Sequence, residues 1–228
     1  KAQLAVLAGG VFANLVMTLL FGILLWLFFL AAFSPAGFNF SNYAAASINI
    51  SDIHSIDGKI INQPSDLLNA SRSQEEFLIL NTTQGIYYTN PSVLSDSLSK
   101  SLPYIIAYED TPAFNAKLGR AILAIDGMPI RSYLDLNEAL SSKLPGDMVK
   151  IKTLSKQEGI KESSVRLIER NGKAFLGISA ASAQSPKGFR AIIYSFTPKL
   201  DNQFTGVHSE PNIPGGVFIF NLFWWIVI

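Results

Sequence analysis

The chain has 228 residues, of which 49% are hydrophobic, and it carries a formal net charge of +1 and no cysteine. This length corresponds to one or two domains. A charge so near neutrality, without basic clusters, argues against a nucleic-acid interface, and the absence of cysteine excludes disulfides and thiolate chemistry.

The first predicted element is a transmembrane helix within residues 1–34. Residues 4–33 form a run of 30 residues without a charge. About 20 apolar residues are enough for a helix to cross a bilayer, so this run is long enough with some tilt. A secretory signal peptide would have a shorter apolar region and a clear small-residue cleavage site, for which Ala31 and Ala32 are only a weak match.

The other end of the chain repeats this pattern. A Pro-Gly-Gly turn precedes the apolar run 217–228, which predicts the start of a second transmembrane helix over 212–228. Trp224 and Trp225 are suited to a membrane interface. The alternative interpretation is a buried terminal strand. Because the chain starts without Met and stops inside an apolar run, we expect it to be a fragment of a longer protein.

Charges and glycosylation motifs indicate the topology. Lys1 is the only charge before the first span and Asp52 is the next one, which places the N-terminal flank in the cytoplasm. Four Asn-x-Ser/Thr motifs permit glycosylation only outside the cytoplasm; they begin at Asn39, Asn49, Asn69 and Asn81. The expectation is a multi-pass integral membrane protein with an extracytoplasmic soluble region.

The soluble region contains an internal repeat. Residues 56–70 align without a gap with residues 125–139, and seven of the 15 positions are identical. Each copy has the pattern of a strand, an Asp-Gly turn, a short strand and a helix. The repeat predicts two related α+β modules, at 35–100 and 101–200.

Around the repeats, residues 34–50 have the composition of a linker and residues 91–101 that of a polar connector. Thr111 is the predicted N-cap of a short helix, and residues 133–142 form an amphipathic helix. The predicted strands are 76–81 and 85–89 in the first module and 102–108, 121–125, 148–154, 165–169 and 174–179 in the second.

This order of elements resembles a circularly permuted PDZ domain of the bacterial and archaeal kind. The similar phrases are Thr-Pro-Ala at 111–113, Ile-Leu-Ala-Ile-Asp-Gly-Met-Pro-Ile at 122–130, Asp-Leu-Asn-Glu-Ala-Leu at 135–140, Leu-Pro-Gly-Asp-Met-Val at 144–149 and Phe-Leu-Gly-Ile at 175–178. The stretch 117–120 departs from the family, which has a longer Gly-Leu and Pro-Gly-Asp turn there. The resemblance implies α+β PDZ-like domains inserted between transmembrane helices, the first of them degenerate.

The resemblance also implies a peptide-binding groove, in which an extended peptide joins a sheet edge beside a helix. Leu176, Gly177 and Ile178 would line the edge, and Leu136 and Leu140 would lie on the helix that forms the far wall. The alternative for Gly177 is a glycine that permits close packing.

The first span opens with Gly10 and Asn14, which resemble the GxxxN motif of site-2 proteases, the intramembrane zinc metalloproteases. Val11 stands where that family often has a proline. The resemblance implies that Asn14 lies beside a zinc site and holds substrate or neighbouring backbone. The alternative is that both residues serve only helix packing.

The sequence itself contains no HExxH motif, and His54 and His208 are expected in polar surface loops. No catalytic or metal-binding residue is therefore predicted within the chain. The resemblance implies that zinc would bind in the full-length parent, through ligands outside this sequence.

The functional hypothesis is a fragment of an intramembrane zinc metalloprotease whose PDZ modules bind or gate membrane-protein and peptide substrates. One alternative is a non-enzymatic, membrane-tethered PDZ scaffold. A membrane-anchored serine protease is disfavoured, because the Gly-Asn-Ser-Gly-Gly nucleophile loop is missing.

Overall fold

The structure is a computed structural model that describes residues 2–155, 158–180, 198–202 and 205–227. The helices are α1 (Ala2–Ala32), α2 (Pro64–Ala70), α3 (Pro91–Ser99), α4 (Pro112–Asn115), α5 (Tyr133–Ser141) and α6 (Gly216–Val227). The strands are β1 (Phe33–Tyr43), β2 (Ala45–Asn49), β3 (Ile53–Ile56), β4 (Lys59–Ile60), β5 (Leu78–Thr82), β6 (Gly85–Thr89), β7 (Tyr104–Glu109), β8 (Ala121–Ile125), β9 (Met128–Pro129), β10 (Met148–Ser155), β11 (Gly159–Arg166), β12 (Ile168–Arg170), β13 (Lys173–Phe175), β14 (Ile178–Ala180) and β15 (Val207–Pro211). The predicted α+β class is confirmed.

Helix α1 is long and apolar enough to cross a membrane over Gly10–Ala32, a stretch of 23 residues. Only 11% of its most apolar window is buried by the described residues. Helix α6 is also apolar but shorter, and it replaces the terminal strand that the sequence left as an alternative.

The two apolar helices pack against each other where they meet the soluble region. Leu25, Ala32, Phe33 and Phe220 form a buried cluster, with further aromatic rings around it. The backbone N–H of Asn212 donates to the carbonyl of Ala32 at 2.7 Å, which ties the entry of α6 to the exit of α1.

The first module is built on a six-stranded antiparallel sheet with the strand order β2-β7-β6-β5-β3-β4. Helices α2 and α3 accompany this sheet. The module has its own core, formed by Ile48, Ile53, Ile56, Leu67, Leu78, Leu80, Leu94, Ile105 and Ala107.

The second module is built on a sheet with the strand path β11-β10-β8-β1-β14, to which β9 and β15 add at β8 and β1. Its separate core contains Phe38, Phe40, Ala113, Leu118, Ile122, Ile125, Ile130, Leu136, Ala139, Val149, Ile151, Val165, Leu167 and Leu176. Strand β1 lies at the centre of this sheet although it precedes the first module. The first module is therefore an insertion between β1 and the rest of the second module.

Three segments differ from the expectations. Residues 34–50, expected as a linker, contain β1 and β2, because Phe38 and Phe40 alternate into the core of the second module. The expected connector 91–101 contains α3, which begins at the N-cap Asn90, whose side chain accepts from the N–H of Ser92 at 2.9 Å.

The strand near residue 104 was expected to open the second module. In the structure, β7 pairs with β2 and β6 of the six-stranded sheet, and Ile105 and Ala107 lie in the core of the first module. The chain passes from one module to the other at Asp110 and Thr111, just before α4.

The sequence repeat corresponds to a repeated hydrogen-bond pattern. Asp57 and Asp126 occupy the same repeat position, and each has a positive φ, as two-residue hairpin turns with a following glycine require. The Asp57 carboxylate accepts from the N–H of Ile79 at 2.8 Å, and the Asp126 carboxylate accepts from the N–H of Lys150 at 2.8 Å. In both modules this hydrogen bond thus connects the turn to a neighbouring strand, β5 in the first module and β10 in the second.

An aromatic cluster joins the two modules. The ring of Phe114 on α4 lies 4.7 to 5.5 Å, centroid to centroid, from the rings of Tyr43, Phe77, Tyr88 and Tyr108. Two ion pairs flank the cluster, Arg170 with Glu109 at 2.9 Å and Lys117 with Glu76 at 3.3 Å. The modules therefore form a continuous packed interface.

Candidate functional site

The predicted groove edge is strand β14. It follows the Leu176-Gly177 loop and pairs with β1 on one side, with Tyr43 opposite Ile178. Within the described ranges no strand pairs with its other side. This outer side of β14, unpaired among the described residues, is the free edge of the sheet.

The register decides which backbone groups face the free edge. The N–H of Ala44 donates to the carbonyl of Gly177 at 2.8 Å. Ala44 and Gly177 are therefore a hydrogen-bonded pair, and they lie next to the pair of Tyr43 and Ile178. Antiparallel pairs alternate between bonded and non-bonded, which makes Tyr43 and Ile178 a non-hydrogen-bonded pair. The N–H and C=O of Ile178 consequently point away from β1 and towards the free edge.

The predicted far wall is helix α5, which contacts β13, the strand just before the Gly177 loop. Its N-cap is Ser132, whose hydroxyl accepts from the N–H of Asp135 at 3.2 Å. Leu136 is buried in the module core, whereas Leu140 is only partly buried against that core.

The predicted groove residues thus all contact the core of the second module, but their side chains differ in solvent exposure. Leu176 and Leu136 are buried and can act only by supporting the edge and the helix. Ile178 and Leu140 are partly buried and remain able to touch a ligand. Sequence reasoning could not separate these two groups, because all four are apolar residues in similar contexts.

Gly177 is constrained by its packing. Its φ is +89°, in the region that favours glycine, and a Cβ at this position would overlap the side chain of Thr111. The carbonyl of Leu176 accepts from the N–H of Ala113 at 2.9 Å, so this loop also holds α4. The close-packing interpretation of Gly177 is supported, and it is compatible with a role at the groove.

Among the described residues of β1 that pair with the edge strand, Tyr43 is the titratable one. The hydroxyl of Tyr43 donates to the carbonyl of Leu118 at 2.7 Å. Burial, together with the neighbouring Tyr108, raises the pKa of Tyr43 above its usual value. The Tyr43 side chain is therefore uncharged at neutral pH.

Gly10 and Asn14 lie one helical turn apart on α1. Both are exposed, and a Cβ at Gly10 would meet no atom within 4 Å. Helix α6 packs against the other end of α1, near Leu25 and Phe29. Within the described part of the chain, nothing covers the Gly10–Asn14 face.

The two histidines lie in strands, which corrects the expectation of polar loops. His54 is exposed on β3. His208 is on β15, and its side chain is only 13% exposed. Its Nδ1 lies 2.6 Å from the Asp201 carboxylate and its Nε2 lies 3.7 Å from the Glu210 carboxylate. Sequence reasoning missed this group, which is local in the chain: Asp201 forms a β-bridge with His208, seven positions further on, and Glu210 lies on the same strand as His208.

These residues do not fit a zinc centre. Among the described residues, no group of three or more His, Cys, Asp or Glu side chains could hold a metal ion. His208 instead pairs through Nδ1 with Asp201, whereas its buried Nε2 has no hydrogen-bond partner among the described residues.

Two clefts occur away from the predicted groove. One, of about 590 Å³, has a polar, serine-rich lining between α2 and α3 of the first module. The other, of about 380 Å³, lies between the modules and is lined by Ile86, Glu109, Ile168, Arg170 and Phe175, among others. Neither includes the free edge of β14.

Comparison with known proteins adds no assignment: no family model matches the chain, and no curated protein matches it.

Proposed function

We propose that this chain is the membrane-anchored PDZ region of an intramembrane zinc metalloprotease of the site-2 protease kind. In this proposal the second module binds an extended segment of a membrane-protein or peptide substrate along the free edge of β14. The observation that carries the proposal is the outward N–H and C=O of Ile178, directly after the Gly177 loop. A peptide strand recognises such an edge through main-chain hydrogen bonds and places alternate side chains in neighbouring pockets.

The membrane part of the proposal is supported by the arrangement of α1 and α6. Both helices join the same end of the second module's sheet and pack against each other. We propose that both cross the bilayer, so that the protein is multi-pass, and that the two modules lie outside the cytoplasm. Asn14 would then be a polar group at membrane depth, which is costly unless it has a partner.

Zinc in this proposal comes with ligands from segments outside the present sequence. No catalytic step is assigned to residues of this chain. Its part in the reaction is to present substrate and to contribute Gly10 and Asn14 beside the zinc-binding segments.

Peptide binding is tested with the purified chain in detergent micelles. The probes are fluorescein-labelled peptides with apolar last residues, ending either in a free carboxylate or in an amide. Leu140→Asp should weaken binding about tenfold or more, because it puts a charge on the far wall. Ile60→Asp is the matched control, since Ile60 is 70% exposed in the first module. Equal binding by the two variants, with circular dichroism unchanged, would contradict binding at this edge.

The protease part is tested in a longer protein that carries the zinc ligands. Asn14→Ala should lower cleavage of a membrane substrate at least about tenfold with expression intact. Thr18→Ala, one turn further along α1, is the control and should leave cleavage unchanged. Equal activity of the Asn14 variant and the wild type would mean that Asn14 only packs against another helix.

The second candidate is a non-enzymatic, membrane-tethered scaffold. It is favoured by the lack of an HExxH motif in the chain. This alternative would be established if the full-length protein binds peptides, does not bind zinc and does not cleave a membrane substrate.

A further inference from the structure

One end of the second module's sheet lies next to the apolar helices. Strand β1 begins at Phe33, directly after α1. Pro211, near the start of α6, pairs with Phe33 across the ladder of β1 and β15. If α1 and α6 cross the bilayer, this end of the sheet is the one nearest the membrane surface.

The strand register brings further segments to this end. Strand β8 runs antiparallel to β1, with Phe38 opposite Ile122, so the turn after Ile125 lies towards the Phe33 end. Strand β10 begins beside that turn, since Ile151 lies opposite Ile125. Met148 is therefore further still towards the membrane end.

Residues of this end carry exposed apolar side chains. Met128 is 50%, Leu144 is 70% and Met148 is 56% exposed. Leu144 and Met148 flank a tight turn that is closed by a bond from the N–H of Asp147 to the carbonyl of Leu144 at 3.1 Å. The turn is fastened to the core by the N–H of Gly146, which donates to the Leu167 carbonyl. These side chains are thus held outward by a rigid loop.

Two cations accompany the apolar side chains. Arg166 lies directly opposite Met148 in the β10–β11 ladder, and Lys150 is two residues along the same exposed face. Neither forms an ion pair with any described residue. Of the two nearby carboxylates, Asp126 forms its ion pair with the Lys143 ammonium at 2.6 Å and interacts with Lys150 at longer range, and Asp147 accepts from the N–H of Leu144 at 2.8 Å. Lys143, Lys150 and Arg166 against Asp126 and Asp147 leave this edge with a net charge of +1.

We propose that this membrane-facing edge, consisting of Met128, Leu144, Met148, Lys150 and Arg166, rests on the anionic headgroup layer of the bilayer that holds α1. Apolar side chains enter the boundary between headgroups and acyl chains, while long cationic side chains reach lipid phosphates beside them. The contact fixes the orientation of the modules over the membrane. The inference depends on the membrane placement of α1 in the proposed function.

The test uses the whole chain in lipid nanodiscs of equal parts phosphatidylglycerol and phosphatidylcholine. The chain has no cysteine, so single cysteine variants take one nitroxide label each. Labels replace Met148 and Leu144 at the edge. The matched control is Ile160→Cys on β11, because Ile160 is 57% exposed and lies at the opposite end of the same hairpin. Leu19→Cys in α1 reports membrane insertion independently.

The labels at 144 and 148 should be shielded from a water-soluble nickel relaxant and exposed to oxygen. The label at 160 should be accessible to the nickel relaxant. Lys150→Gln and Arg166→Gln should each lower the docked population about fivefold, as the attraction of one cation to an anionic surface predicts. Pure phosphatidylcholine discs should weaken the shielding more than either single variant does, because they remove the attraction of both cations.

Four outcomes would overturn the proposal. Equal nickel access at 148 and 160, with position 19 shielded, would overturn the edge contact and leave the membrane helix intact. Shielding that is unchanged in both Gln variants and in uncharged lipid would show that the edge is covered by something other than anionic headgroups. Shielding that increases with the number of chains per disc would show that the edge contacts a second copy of the chain. Nickel access at position 19 would overturn both this inference and the membrane placement on which it depends.

Discussion

Gly177 lies against Thr111, and the contact leaves no space for a Cβ at position 177. Thr111 is itself 1% exposed, so its side chain cannot move away. Through this contact the loop before β14 is joined to the start of α4, which is also where the chain passes from the first module to the second. The free edge and the junction between the modules are therefore parts of one packed unit.

Gly177→Ala should lower the free energy of unfolding of the soluble modules by about 3 kcal/mol. The alanine adds the cost of a positive φ to that of overpacking. Urea unfolding in detergent micelles, followed by near-ultraviolet circular dichroism, measures the change. Gly172→Ala is the control, because its φ is +73° but no atom lies within 4 Å of the added Cβ. It should cost only about 1 kcal/mol, and equal losses in both variants would contradict the packing argument.

Phe114→Ala should loosen the junction between the modules. The ring is half-buried and touches four aromatic rings, so a loss of about 2 kcal/mol is expected, less than for a fully buried phenylalanine. Hydrogen exchange should rise in α4 and at the Tyr88 end of β6 before it rises in either core. Tyr104→Ala, at a side chain 43% exposed on β7, is the comparison and should change little. Uniformly raised exchange in both modules would argue against a localised interface.

Asp126→Asn should destabilise the protein by about 1 kcal/mol at neutral pH, less than a buried hydrogen bond to a charged group contributes, because solvent partly screens the pair with Lys143. The bonds from Lys143 and from the Lys150 amide hold the pKa of Asp126 below its usual 3.8. A carboxyl group with a lowered pKa in the folded state stabilises the fold above its unfolded pKa, and this contribution is lost as the pH falls through the folded pKa. The difference between wild type and variant should therefore shrink below about pH 4.

Asparagine keeps the left-handed turn conformation of residue 126, so the turn itself should survive in this variant. Asp96→Asn provides the control, since Asp96 and Lys100 form an exposed pair on α3. Its effect should be close to zero at every pH. A pH-independent loss in the Asp126 variant would show that the carboxylate charge is not what stabilises the turn.

The ion pair between Arg170 and Glu109 should contribute a coupling energy of about 1 kcal/mol. It is bidentate, at 2.9 and 3.1 Å, and Arg170 also lies 4.6 Å over the ring of Phe175. A double-mutant cycle with Arg170→Met and Glu109→Gln measures the coupling, and 1 M salt should reduce it. The pair of Lys117 and Glu76 is more exposed, so its cycle should give less. Equal coupling in both cycles would contradict the importance of the bidentate geometry.

Local patterns predicted several elements well. Strand β8 has the expected bounds, and α5 is one residue shorter than expected. The Asp-Gly turns at 57 and 126 were predicted because only a few residue types accept a positive φ at both turn positions. The candidate site was predicted less well. The sequence named the apolar residues of the candidate groove, but it could not predict that Leu136 and Leu176 are buried whereas Leu140 and Ile178 are only partly buried, because burial depends on tertiary packing.

The long apolar helix and the repeated turn-and-strand unit could both be predicted from local sequence patterns. Both follow from residues that are close together in the chain, through hydrophobicity and backbone preference. Local patterns did not predict that β1 belongs to the sheet of the second module, that β7 belongs to the sheet of the first, or that Met148 lies towards the Phe33 end of its sheet. Strand pairing depends on contacts between residues that are far apart in the chain. An alternating apolar pattern fits either sheet equally well, so the pattern alone does not identify the partner strand.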